Sequence, residues 1–242
     1  YNDVHSAVRE SDDQGAMELF RNATYRGVVF RYNRFRNVGK TGTGAAVHGQ
    51  AAIRFDDAIS GMLVYSNLFV RGASGNFGAI QMNSGRDNLM DNNIFVDCKQ
   101  GISGGFRAGN SVWRMLNKSL DQPNFFTNEL YLARYPQIAT MLEQPAYNHI
   151  WRNAFVQCGA VTNRGGGDLD LFQNAVFEDD PGFVDAANGD YRLKPDSQLF
   201  KKLGLRPIPL QEIGLYDDAL RATWPVETTP VEVPDWRGGK GH

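Results

Sequence analysis

One eleven-residue word recurs along this chain and leaves few folds open. It reads VVFRYNRFRNV (28–38), MLVYSNLFVRG (62–72), NLMDNNIFVDC (88–98) and NHIWRNAFVQC (148–158). Aligned on the shared phenylalanine, the copies place Asn33, Asn67, Asn93 and Asn153 in one column and Phe35, Phe69, Phe95 and Phe155 in another. A unit this short cannot bury an apolar face alone, so each copy must stack on its neighbours. Between these words lies a second one: GAMELF (15–20), AAIRFDD (51–57), GAIQMNS (78–84), GISGGF (101–106) and GAVTNRG (159–165). It alternates apolar with polar or small residues, the period of a half-buried strand. Met17, Ile53, Ile80, Ile102 and Val161 are expected to face inward, and Glu18, Arg54, Gln81, Ser103 and Thr162 outward. Two or three short strands per repeat, joined by tight turns, predict an all-β parallel β-helix, a solenoid. The asparagines fit as bend residues that satisfy the backbone of the next coil, a structural role with no catalysis assigned.

The same pattern sets the domain plan. Residues 1–178 carry the coils, and the interval between ladder asparagines grows from 34 and 26 residues to 60 across an insertion at about 111–145. There Leu130, Ala133, Ile138, Met141 and Leu142 recur at helical spacing, with Pro136 expected to break the helix. Trp113, Phe125, Phe126 and Tyr131 either anchor this excursion or stack on a sugar. Residues 179–218 read as a capping segment, with 205–216 extended back along the coils, and 219–242 as a tail too poor in apolar periodicity to fold alone. The chain opens inside an Asn-Phe word, so the expectation is that a further N-terminal portion or another chain covers the first coil, with homo-oligomerisation as a consequence of an open end. Cys98 and Cys158 occupy one position in successive words, stacked either as thiols or as a disulfide.

A formal net charge of -2 over 242 residues supplies no basic field, which argues against a nucleic-acid partner. No apolar run approaches membrane length and no leader pattern opens the chain. The chemistry-bearing residues are carboxylates. Glu18 and Asp56 are expected one coil apart and two residues offset, at a Cα separation near 8 Å from strand spacing and rise. That is compatible with two acids flanking a glycosidic bond in an inverting enzyme, and because side-chain reach is not counted it leaves a retaining pair open. Arg54 lies between them, either holding one ionised or forming a plain ladder ion pair with Glu18. Asp57 starts the turn beside Asp56. Candidate substrate contacts are Arg54, Gln81, Asp12, Arg86 and His48, the last in a glycine-rich turn over residues 39–50, while Arg86 with Asp87 is alternatively a brace for its own turn. Glu10, Asp12 and Asp13 form an acidic loop able in principle to hold calcium, though the spacing matches no strong ligand pattern.

The ordered series ESDDQGAMEL, AIRFDDAISG, GAIQMNSGRDNLMDNNIFVDC, LYLARYPQIATMLEQP and DPGFVDAANGDYRLKPDSQLFKKLG resembles the C-terminal half of secreted bacterial right-handed parallel β-helix proteins of carbohydrate metabolism, nearest to glycoside hydrolase family 141. The resemblance covers roughly residues 1–218. It implies secretion or a periplasmic location, a polysaccharide or oligosaccharide partner, and two catalytic aspartates falling on Asp13 in SDDQGA and on Asp56 or Asp57 in RFDDAISG. The chain departs from that pattern at Glu18, where an aromatic is usual, and at GISGGF, which lacks an acid. Polysaccharide lyases, uronate epimerases and non-catalytic glycan-binding or filament-forming solenoids use the same architecture and remain alternatives.

Overall fold

Three parallel sheets each take one strand from successive repeats, and the chain visits them in an unchanging order. The computed structural model describes residues 1–22, 25–40, 48–105, 128–141, 143, 146–163, 168–215 and 229–237. The first sheet is built by the Asn-Phe words and contains Asp3–His5, Arg34–Arg36, Leu68–Val70, Ile94–Val96, Ala154–Val156 and Ala175–Phe177. The second contains Val29–Arg31, Leu63–Tyr65, Leu89–Asp91, Asn148–Trp151 and Leu169–Phe172. The third contains Gln14–Phe20, Gly49–Asp56, Ile80–Asn83 and Ile102–Gly105, with Ala73–Gly75 added antiparallel to Gly49–Asp56.

Register follows the sequence columns. Met17 pairs with Ile53, Ile53 with Ile80 and Ile80 with Ile102. Phe35, Phe69, Phe95 and Phe155 stack as parallel rings with centroids 5.1, 4.8 and 4.7 Å apart. Ring pairs of this kind add about 0.5–1.5 kcal/mol each beyond the area they bury. These rings join Val64, Met90 and Ile150 of the second sheet and Ile53, Phe55 and Ile80 of the third in one core. The last repeat departs from expectation: Ile102 bridges Thr162, one residue beyond Val161, although Val161 still packs against the core.

The bend between second and first sheets is an amide ladder of six asparagines, extending the four of the sequence pattern by Asn2 and Asn174. Each Nδ2 donates to the next Oδ1, from Asn2 to Asn33 and on to Asn67, Asn93, Asn153 and Asn174, at 2.9 to 3.0 Å. Each receiving oxygen also accepts the preceding asparagine's backbone N–H. Between words that carry Asn at both ends, Asn88 and Asn148 make a second such contact at 2.9 Å. The residue just before each ladder asparagine from the second repeat onward is left-handed: Tyr32, Ser66, Asn92, Arg152 and Gln173 have φ from 48° to 59°. A matching left-handed column, Ser6, Asn37, Arg71, Asp97 and Gln157, leaves the first sheet.

A second core covers the other face of the first sheet. Leu68, Ile94 and Ala154 meet Leu199, Leu203, Leu205, Ile208, Leu210 and Ile213, so the segment after residue 204 does lie along the repeats. Its end returns to the first strand, where Gly214 N–H donates to the Tyr1 carbonyl. Residues 229–237, which composition gave no reason to expect docked, lie across the bends, with Trp236 Nε1 donating to Asp97 Oδ1 at 3.0 Å. In the insertion, helix Glu129–Arg134 ends before a 3-10 turn at Pro136–Thr140, as the proline dictates. Ile138 and Met141 are buried there, whereas Leu130 is 84% exposed and not part of an anchoring stripe. Trp113, Phe125, Phe126 and Leu142 lie outside the described residues. Cys98 and Cys158 are both free thiols, and their mutual contact together with burial pushes Cys98 well above the usual thiol range. Among the described residues, no helix is long and apolar enough to cross a membrane.

Candidate functional site

The outward column of the third sheet runs Glu18, Arg54, Gln81, Ser103 in consecutive strands, in the register the alternation predicts. It is not a solvated face. Arg54 is only 7% exposed, because Phe77 lies 5.4 Å from its guanidinium and the loop before Gln14 folds over it. Gly15 permits this approach, since a Cβ there would stand 2.6 Å from the Arg54 Cβ.

Arg54 is the hub of the site. Its Nη2 lies 2.8 Å from Asp13 Oδ1 and 2.9 Å from Asp56 Oδ2, its Nη1 lies 3.2 Å from Glu18 Oε1, and its Nε donates to Gln81 Oε1 at 3.1 Å. Nη1 also donates to the Asp13 carbonyl. Glu18 is held from its other oxygen by the Gly15 N–H at 2.9 Å. Arg54 therefore does more than form a ladder pair with Glu18. It draws Asp13, which is 41 residues away in sequence, onto the same cation as Asp56.

The carboxylates differ sharply in solvation. Asp13 and Glu18 side chains are 47% and 23% exposed, whereas that of Asp56 is 8% exposed. Burial pushes the Asp56 carboxyl above its ordinary value, outweighing Arg54 and the Asn83 hydrogen bond. Asp57 turns aside to Arg21 Nε at 2.8 Å, and Asn83 Nδ2 bridges Asp56 and Asp57 at 3.1 and 3.0 Å. Asn83 and Phe77 were not singled out by sequence. The alternation that marks Gln81 also marks Asn83, while Phe77 precedes the strand and left no periodic signal.

Three expected contacts lie elsewhere. Asp12 accepts the Gly49 N–H at 2.8 Å and the His48 N–H at 3.2 Å, and so fastens the start of the Gly49–Asp56 strand. His48 itself is exposed and contributes its backbone to that junction. Arg86 Nη1 donates to the carbonyls of Thr140, Met141 and Glu143 at 2.7 to 3.2 Å, so this buried cation closes the end of the insertion, in keeping with a bracing role. Gln81 is likewise buried and orients Arg54. In the acidic loop Asp12 accepts backbone amides and Asp13 pairs with Arg54. Among the described residues, no group of three or more His, Cys, Asp or Glu is arranged to hold a metal ion. No protein-family model, curated protein or solved structure matches this chain.

Proposed function

We propose that the three sheets wind as a right-handed parallel β-helix and that the chain is a carbohydrate-active protein, most specifically a glycoside hydrolase acting outside the cytoplasm on a plant or algal polysaccharide. The constant order of strand visits and the unbroken side-chain columns support the winding. The resemblance to glycoside hydrolase family 141 supports the substrate class. The observation that carries the activity is the sharing of one guanidinium by Asp13, Glu18 and Asp56.

Three carboxylates around one cation cannot all be neutralised by it, and burial makes Asp56, the group with least water, hold a proton more readily than an ordinary aspartate does. Hydrolysis of a glycoside needs such an unequal pair, one carboxyl bearing a proton and one ionised. Asp13 Oδ1 and Asp56 Oδ2 touch the same nitrogen at 2.8 and 2.9 Å, so they stand no more than about 5.7 Å apart. That falls short of the gap of about 6.5–9.5 Å used for inversion and admits the gap of about 5–5.5 Å used for retention. The pair differs from the Glu18–Asp56 pair that strand spacing suggests, and it favours the retaining route. In this reading the sugar displaces the Asp13–Arg54 contact. Asp13 attacks the anomeric carbon while Asp56 protonates the leaving oxygen, and water then releases the sugar and restores the Asp56 proton. Glu18 stays on Arg54 and keeps that cation in place.

The test is reducing-sugar release from a panel of plant and algal glycans by wild type, Asp13→Asn and Asp56→Asn. Loss of turnover in both variants is expected. Unchanged turnover in the double variant removes these residues from the mechanism, and an unsaturated product absorbing in the ultraviolet assigns the chain to the lyases.

A further inference from the structure

The second sheet presents, away from the core, two side-chain columns that the carboxylate site does not use. One runs Arg31, Tyr65, Asp91, Trp151, Phe172 and the other Val29, Leu63, Leu89, His149, Asp170. Five strands at a spacing of about 4.8 Å make a ribbon roughly 19 Å long. Its polar groups are tied to one another. Asp170 Oδ2 meets both His149 Nδ1 and Trp151 Nε1 at 2.9 Å, which leaves the His149 proton on Nδ1 and turns Nε2 away from that bond. The rings of His149 and Trp151 are fixed edge to face, 5.0 Å apart at 63°, and Phe172 stands 6.2 Å from Trp151 at 72° while 53% exposed. Asp91 is gripped by Arg152 through Nε at 2.8 Å and through Nη2.

We propose that this ribbon is a second glycan site, one that binds a neutral oligosaccharide chain lengthwise and performs no chemistry. The choice of a sugar rests on the carbohydrate reading above; the choice of a neutral one comes from the ribbon itself. Its two carboxylates, Asp91 and Asp170, are matched by two guanidiniums, Arg152 on Asp91 and Arg31 at the end of the column, so the ribbon carries no net positive charge to draw a uronate or phosphate. Rigid aromatic faces offer apolar surface to the C–H face of a pyranose at little entropic cost, and the neighbouring nitrogens and carboxylate oxygens suit its hydroxyl edge.

Affinity electrophoresis and titration calorimetry of the whole chain with neutral glycans (xylan, mannan, mixed-linkage glucan) and acidic ones (polygalacturonate, alginate) test this. Asp13→Asn serves as the turnover-blocked background. Binding to at least one neutral glycan is expected, weakened about tenfold or more by Phe172→Ala and by Trp151→Ala, as for an anchoring aromatic. Phe172 is exposed, so its variant keeps the fold, which circular dichroism verifies. Failure to bind any neutral glycan, preference for the acidic polymers, or undiminished binding in both aromatic variants overturns the proposal. Binding by a wild-type chain that hydrolyses nothing upholds this site while removing the hydrolase reading. Hydrolysis of short soluble substrates without polymer binding does the reverse.

Discussion

The asparagine bend and the outward column of the third sheet are built from the same repeats, yet they follow opposite rules. At the bend, five successive repeats after the first strand place asparagine again at the equivalent position, and each amide serves its neighbour identically. In the third sheet the equivalent position reads Glu18, Arg54, Gln81 and Ser103, a different residue each time. Repetition of one residue type serves a demand that recurs in every repeat, namely pairing buried backbone at a turn. Divergence along a column marks a place where the repeats act together as one site, because no single type there satisfies its neighbour by itself.

The comparison breaks hardest at Arg54. Arg54→Met leaves three carboxylates around a buried gap, with an expected loss of about 3–5 kcal/mol in urea unfolding; a loss under 1 kcal/mol would mean the cluster is mere surface decoration. Next comes the ladder. Asn93→Ala strips partners from a buried backbone N–H and two buried amides, and is expected to cost about 2–3 kcal/mol, while Asn174→Ala at the half-buried end costs about 1 kcal/mol. Equal costs at the two positions would argue that the amides act independently. Asp56→Asn acts on the pH profile. The folded chain holds the Asp56 proton to higher pH than the unfolded chain, so this group favours folding most below its ordinary value of 3.8, and that advantage fades as pH rises through the elevated value. The variant's denaturation midpoint is expected to fall less steeply across that window, and an unaltered slope would clear Asp56 of being the desolvated acid. The smallest effect is at a bend: Gln173→Gly, at φ 49° and exposed, is expected to gain about 0.5 kcal/mol by relieving a left-handed side chain, measured by thermal melting.

Columns were legible in the sequence because period and spacing encode them. Met17, Ile53 and Ile80, the phenylalanine stack and the two-residue offset of Glu18 from Asp56 all follow from counting. The Asn88–Asn148 pair was equally available, since each stands five residues before a ladder asparagine. What counting cannot supply is where a loop lands. Asp13 reaches Arg54 because residues ahead of Gln14 fold over the sheet past Gly15, and Arg86 leaves the groove because the insertion returns its carbonyls to that spot. The left-handed bends were only partly legible: Asn37, Asn92 and Asp97 are turn-favouring types, whereas Tyr32, Arg71 and Gln157 at equivalent positions carry no turn signal of their own.

The amide ladder has one further consequence, which is electrical. Every rung from Asn2 to Asn153 gives its nitrogen forward and turns its oxygen back toward Tyr1, so the small dipoles add head to tail as peptide units do in an α-helix. The spine thus has a polarity, negative toward the first strand and positive toward the last. Mutual polarisation along such a chain makes each amide a better donor for having its oxygen engaged, so a central rung matters to neighbours it never touches.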